Sequence, residues 1–247
     1  MTKQLLQLRC KNNKKTLKVA VGSTLSEVFS VADIKMAYAP VCAKVNNRVV
    51  GMHYRLYNDK DIEFMGIDTD SGSRTYTRTL FFICCKAISD LFPQAEVRID
   101  ISVSKGYFVD MRIGREVTAA DTERVRLRME EIIAARMPIK RHMVPTEEAV
   151  RLFTAKGDMS KVKLLNGLGS LYTVYYQIED FIDYFYGALM TNTADIHLFG
   201  LEPFNGGMLL RVPSPDNPAV LCDMPDQHKM FEIFKEHHCW QDIMGLK

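Results

Sequence analysis

Near the end of the chain, "EHHCW" places His237, His238 and Cys239 side by side, residue types that ligate metals or attack carbonyls. Consecutive residues on a helix point about 100° apart, so the three do not converge on one ion. His228 is too far away in sequence to complete a recognised zinc spacing. The segment therefore reads as a helical surface, and no metal is expected. His53, His142 and His197 are isolated and read as packed or surface residues. A second candidate is "YTRTLFFICCKAISDLFP", residues 76–93, where Cys84 and Cys85 are adjacent. Both thiols lie among large apolar residues, where cysteine behaves as a small hydrophobe. None of the six cysteines (Cys10, Cys42, Cys84, Cys85, Cys222 and Cys239) belongs to a CxxC pair, which predicts reduced thiols and a cytoplasmic protein. The glycine stretches "GSRTYTR" and "NGLGSLYT" lack the Lys-Ser/Thr that holds nucleotide phosphates and magnesium, and "NGLGSLY" also misses GxGxxG. No cofactor site is expected in this chain.

The elements that would position these residues fall into two groups. In residues 4–64, "QLLQLRC" and "KTLKVAV" alternate as strands around the turn "KNNKK". "GSTLSEVFS" predicts a helix with Ser23 or Thr24 as cap and Glu27 completing a capping box after Thr24. "PVCAKVNNRVVGM" predicts a hairpin around Asn46-Asn47, and "LYNDKDIEFM" a last strand. The order strand, strand, helix, strand, strand, strand predicts a small ubiquitin-like β-grasp. The polar stretch "GIDTDSGSR", 66–74, reads as a linker.

The second group begins with a helix over 76–93. Two strands follow around Lys105-Gly106, then an amphipathic helix begun by Thr118 and Asp121, with Val125, Met129, Ile132, Ile133 and Arg136 along one side. "PTEEAVRLFTAKG" predicts a helix capped by Thr146 and closed by Gly157. "GSLYTVYYQI", "FIDYFYG" and "IHLFGLEPFNGGMLLRV" come next, then a proline-rich loop and an amphipathic tail. The predicted class is α+β, with domains over 1–65 and 74–225 and a helical connector over 226–247.

The 247 residues allow one large or two smaller domains. No run approaches the roughly 20 apolar residues of a membrane span, and "MTKQLLQLRC" is too short and polar for a signal peptide, so no membrane partner is expected. Residues 1–64 hold eleven Lys/Arg against five Asp/Glu, an excess compatible with RNA or with a merely solvated basic surface.

"VCAKVNNRVVGMHYRLYNDKDIEFM" resembles the closing portion of a TGS domain. Residues 74–212 resemble the domain of threonyl-tRNA synthetase that removes wrongly attached serine. Four pieces carry that resemblance in register: "CKAISDLFP", "GYFVDM", "PTEEAVRLFTAKGDMSKVKLL" and "DFIDYFYG". The resemblance implies a hydrolytic site of His-x-x-x-His on the first helix and a Cys/His pair four apart later. It places Arg78 and Phe82 on the paired histidines and Phe185 and Leu189 on the Cys/His pair. Phenylalanine and leucine cannot transfer a proton, and arginine stays protonated. No catalytic residue is therefore expected. Arg78, Lys161 and Asp183 remain as the candidate ligand cleft, or as an ion pair beside an apolar plug of Phe82, Phe185 and Leu189.

The same pair of domains is implied in front of a uridine kinase-like P-loop domain in bacterial nucleoside kinases, and "MFEIFKEHHCWQDIMGLK" resembles the connector toward it. The main expectation is a non-catalytic regulatory, ligand- or RNA-binding region of an ATP-dependent nucleoside (uridine) kinase. Its partners would be the C-terminal kinase domain of the same polypeptide and RNA or a small ligand, and ATP and magnesium would belong to that missing domain. The alternative is a tRNA- or RNA-binding protein related to threonyl-tRNA synthetase. A hydrolase with a rebuilt site is the third reading.

Overall fold

The computed structural model describes residues 4–223, 225, 227, 229, 231–234 and 236. His228, His237, His238 and Cys239 lie outside these, as does most of the expected connector. The elements in chain order are β1 (Leu5–Cys10), β2 (Lys15–Ala20), α1 (Leu25–Val31), β3 (Pro40–Val45), β4 (Arg48–Gly51), β5 (Lys60–Gly66), α2 (Asp70–Leu91), β6 (Glu96–Val103) and β7 (Gly106–Arg112). They continue with α3 (Ala119–Ala134), β8 (Lys140–Pro145), α4 (Thr146–Ala155), α5 (Met159–Leu168), β9 (Tyr172–Ile178), β10 (Phe181–Asp183), a 3-10 turn (Thr193–Asp195), β11 (Gly200–Phe204) and β12 (Gly207–Arg211). Three separate sheets with helices make the class α+β, as expected. The chain divides into two compact units, 1–82 with 133–195, and 83–132 with 196–247.

The first unit opens with a five-stranded sheet in the order β2-β1-β5-β3-β4. β1 and β5 are parallel and the other neighbours antiparallel. Alternation drives it: Leu6, Leu8 and Cys10 point to one face and pack with Leu25 and Val28 of α1 and with Ile62 and Phe64 of β5. Each such large side chain contributes on the order of 2 kcal/mol when fully buried. The α1 capping box forms as expected: Glu27 N–H donates to Thr24 Oγ1 (3.2 Å), and Thr24 N–H to Glu27 Oε2 (2.8 Å). Asn46 and Asn47 take φ of 46° and 66°, the conformation a two-residue hairpin between β3 and β4 needs. A second sheet of the same unit runs β10-β9-β8, with α4 and α5 packed around Phe153, Leu165 and Tyr175.

The second unit carries a four-stranded antiparallel sheet in the order β11-β12-β7-β6. Its core joins Ile101, Val103, Leu209 and a trio of edge-packed rings, Phe108, Phe204 and Phe231. The helix α3 starts with the predicted cap: Asp121 N–H donates to Thr118 Oγ1 (3.2 Å) and Thr118 N–H to Asp121 Oδ2 (3.0 Å). Val125, Met129 and Ile132 are buried along it.

Several local expectations are corrected. The linker over 66–74 is half helix, because Thr69 caps α2: its Oγ1 accepts from Gly72 N–H (3.1 Å) and its carbonyl from Ser73 N–H (2.8 Å). Gly72 is required there, since a Cβ would lie 1.8 Å from the Gly66 carbonyl oxygen. The β6–β7 turn is Ser104-Lys105, both at φ near 50°, and Gly106 already belongs to β7. Arg136 does not follow the buried side of α3: the helix ends at Ala134 and Arg136 is exposed at φ 52°. Thr146 is the first residue of α4 rather than its cap, and its hydroxyl donates to Ser170 O (2.6 Å). Gly157, at φ 77°, follows the helix end as expected. Both β8 and α5 are additional elements.

Candidate functional site

The residues singled out for chemistry in the first unit are brought together by α2, α5 and the chain from β10 to the 3-10 turn. Threonines along α2 turn their hydroxyls onto the preceding turn: Thr75 donates to Ser71 O (2.9 Å) and Thr79 to Thr75 O (2.8 Å). The buried Thr79 Oγ1 also accepts from Met190 N–H (3.0 Å). This bond pins the segment after β10 onto the helix. Tyr176 of β9 fixes the same segment by donating to Gly187 O (2.7 Å). Gly187 has φ 103°, and a Cβ on it would meet the Arg78 Cζ at 3.0 Å.

The consequence is an apolar cluster at the positions where the editing resemblance calls for proton-transferring groups. Phe82 and Leu189 are fully buried and pack with Ile139, Tyr176, Ile178 and Phe185. The Phe82 ring meets Phe185 edge-on at 5.7 Å between centroids and Phe181 at 5.3 Å. Such aromatic pairs contribute about 0.5–1.5 kcal/mol each beyond their buried area. No group in this cluster carries a proton that titrates near neutrality: burial pushes even the Tyr176 phenol above its ordinary range.

Lys161 and Asp183 form a direct ion pair, placed by two local devices. Asp158 caps α5 by accepting from Lys161 N–H (3.0 Å), which sets the first turn carrying Lys161. At the end of β10, Asp183 Oδ1 also accepts from Tyr184 N–H (2.7 Å). Burial pushes the Asp183 carboxyl up in spite of Lys161, and the nearby Asp158 adds to the rise. Of the three residues of the expected cleft, Lys161 and Asp183 are bonded to each other. Arg78 makes no ion pair or hydrogen bond among the described residues, and lies half-buried against Gly187.

Cys84 is fully buried, which pushes its thiol up to about 12 and keeps it protonated and unreactive. Cys85 is half-buried. Among the described residues the cysteines form no disulfide. Among the described residues no group of His, Cys, Asp or Glu is arranged to hold a metal ion, and no helix is long and apolar enough to cross a membrane.

The sequence reading gave Arg141 no role and took His53 only as a packed or surface residue. Arg141 of β8 faces the Tyr176 hydroxyl, and its charge, after burial, keeps the His53 imidazole down at about 4. His53 follows β4 and touches Gly51, which also lies against Leu189 O. No short motif links positions 53, 78, 141 and 176. Only recognition of β8 as a strand would have drawn attention to Arg141.

About three quarters of the chain is similar to threonine–tRNA ligases. The ligase of Pelobacter propionicus is 28% identical over 188 residues, 76% of this chain and 30% of that protein. The ligase of Desulforamulus reducens is 29% identical over 188 residues, again 76% of this chain and 30% of that protein. Threonine–tRNA ligase 2 of Bacillus subtilis is 26% identical over 187 residues, 75% and 29% respectively. The chain thus spans less than a third of the length of these curated relatives. No protein-family model matches it.

Proposed function

We propose that this chain is a tRNA- or RNA-binding region derived from the editing portion of a threonyl-tRNA synthetase, and that it has no hydrolytic role of its own. One observation carries the reading: Phe82, Phe185 and Leu189, the residues the resemblance aligns with the editing groups, form a packed apolar cluster. Water activation needs a base and a proton donor held at the reacting carbonyl, and these side chains supply neither. The similarity to threonine–tRNA ligases supports an RNA partner, and so does the basic excess of residues 1–64. The strand order of the first sheet supports a TGS-like β-grasp in front of the editing-like part. The test has two arms. Seryl-tRNA should not be deacylated above the rate in buffer, and tRNA should bind at low salt and dissociate steeply as salt rises. Deacylation by the chain, or no tRNA retention at low salt, would sink the reading.

The relatives favour this synthetase-related reading over an accessory module of an ATP-dependent nucleoside kinase. The kinase reading rests on the tail, whose "MFEIFKEHHCW" resembles a connector to a P-loop domain. It is tested by the coding sequence beyond Lys247, where a GxxxxGK[ST] loop would support it, and by turnover of ATP and uridine in the longer protein.

A further inference from the structure

We propose that Arg78, Arg141 and His53, grouped around the Tyr176 hydroxyl, form an oxyanion site that takes a phosphate group beside the apolar cluster. Arg78, His53 and the Tyr176 hydroxyl gather at the short segment from Gly187 to Leu189. Arg78 lies over Gly187, the Tyr176 hydroxyl is bonded to Gly187 O at 2.7 Å, and Gly51, in contact with the His53 ring, lies against Leu189 O. Arg141 joins them as the cross-strand partner of Tyr176 in the β8–β9 pair.

The electrostatics of the group are one-sided. The charges that act on Tyr176 and His53 are Arg78 and Arg141, both positive. Arg78 has lost part of its hydration and has no carboxylate in exchange among the described residues, an arrangement that costs free energy until an anion arrives. His53 adds an orphan: its Nδ1 is buried and has no hydrogen-bond partner among the described residues. The imidazole is neutral at physiological pH, so Nδ1 offers one N–H in the appropriate tautomer. Two guanidinium forks and one imidazole N–H match the geometry of a tetrahedral oxyanion, which guanidinium binds in bidentate fashion.

The segment facing them is held in place. Thr79 fixes Met190, Tyr176 fixes Gly187, and the left-handed φ of Gly187 leaves room for the Arg78 side chain. A preset site loses less conformational freedom on binding than a mobile one. The Lys161–Asp183 pair is satisfied internally and is not needed.

The test is calorimetric titration of the whole chain at low ionic strength with inorganic phosphate, adenosine monophosphate and acetate. Phosphate should bind, and Arg78→Met and Arg141→Met should each weaken it by at least about tenfold, the loss expected for one charge-assisted contact. Arg126→Ala, a change at an arginine already paired with Glu123 and Glu130, should leave binding unchanged. Adenosine monophosphate binding more tightly than phosphate, with the same losses, would assign the site to a nucleotide phosphate. Arg141 is exposed, so its variant keeps the test decisive even if Arg78→Met fails to fold. Absence of phosphate binding at millimolar concentration, equal loss in Arg126→Ala, or equal affinity for acetate would overturn the proposal. The readout is independent of tRNA retention and of deacylation, so failure of the RNA-binding reading and failure of this site are distinguishable.

Discussion

Two carboxylates in this protein pair with a cation and accept a backbone N–H, yet their acidities move in opposite directions. Asp121, in the second unit, accepts from Arg115 at 2.6 and 2.9 Å and from the Thr118 N–H and hydroxyl at 3.0 and 2.7 Å. The Arg115 guanidinium and the Thr118 donors hold its carboxyl far below the usual range. Asp183, in the first unit, has Lys161 and one backbone donor. There burial outweighs the pair and pushes the carboxyl up. Hydrogen bonds to the ionised form dominate at Asp121 and lost hydration dominates at Asp183, and this balance sets the two directions.

Breaking the pair in the first unit should have the larger effect. Lys161→Met leaves Asp183 buried without its cation and should destabilise the chain by about 3 kcal/mol. Adding Asp183→Asn should restore much of the loss, measured by denaturant unfolding, and an uncorrected double variant would show that Lys161 acts by packing alone. Asp121→Ala removes the cap and the anchor of Arg115 and should cost about 2 kcal/mol. Far-UV circular dichroism should locate that loss in helix content.

The pH dependence gives the comparison its sign. Asp121 has a folded pKa below its unfolded one, so its contribution is complete at neutral pH and is lost as pH falls through and below about 4. Asp183 has a folded pKa above its unfolded one. Its contribution therefore grows as pH falls from that raised pKa toward about 4. Unfolding free energies measured against pH for Asp121→Asn and Asp183→Asn, each subtracted from the parent, should show these two opposite slopes. Two slopes of the same sign would mean that the pairs are equivalent after all. The smallest effect belongs to Arg126→Ala: its ion pairs with Glu123 and Glu130 are exposed, and the change in unfolding free energy should be the least of the series and fade with added salt.

Much of the fold was legible where local chemistry is strong. The Thr24–Glu27 box, the Asn46-Asn47 turn and the Thr118–Asp121 cap each act within four residues, and each appears as expected. Strand β8 was illegible because "KRHMVP" is polar and its pairing partner β9 lies some thirty residues on. The start of α2 was hidden by the Gly-Ser-Asp composition of 66–74, which reads as a linker until Thr69 is seen capping and Gly72 is seen against Gly66. Helix α5 carried a usable signal in Asp158, three residues before Lys161, and in Gly169 at φ 61° after its end.

By itself the sequence determined which groups are unable to do chemistry. Phenylalanine at 82 and 185 and leucine at 189 cannot exchange protons wherever they are placed. It also determined the α+β class, since periodicity and caps are local. Only the tertiary structure decided which polar residues share a site. It joined Lys161 to Asp183 and set Arg78 against Gly187, with Arg141 across from Tyr176. That choice depends on how β8, β9 and the Gly187–Met190 segment pack on α2, and long-range packing is set by burial and by the few hydrogen bonds that burial demands.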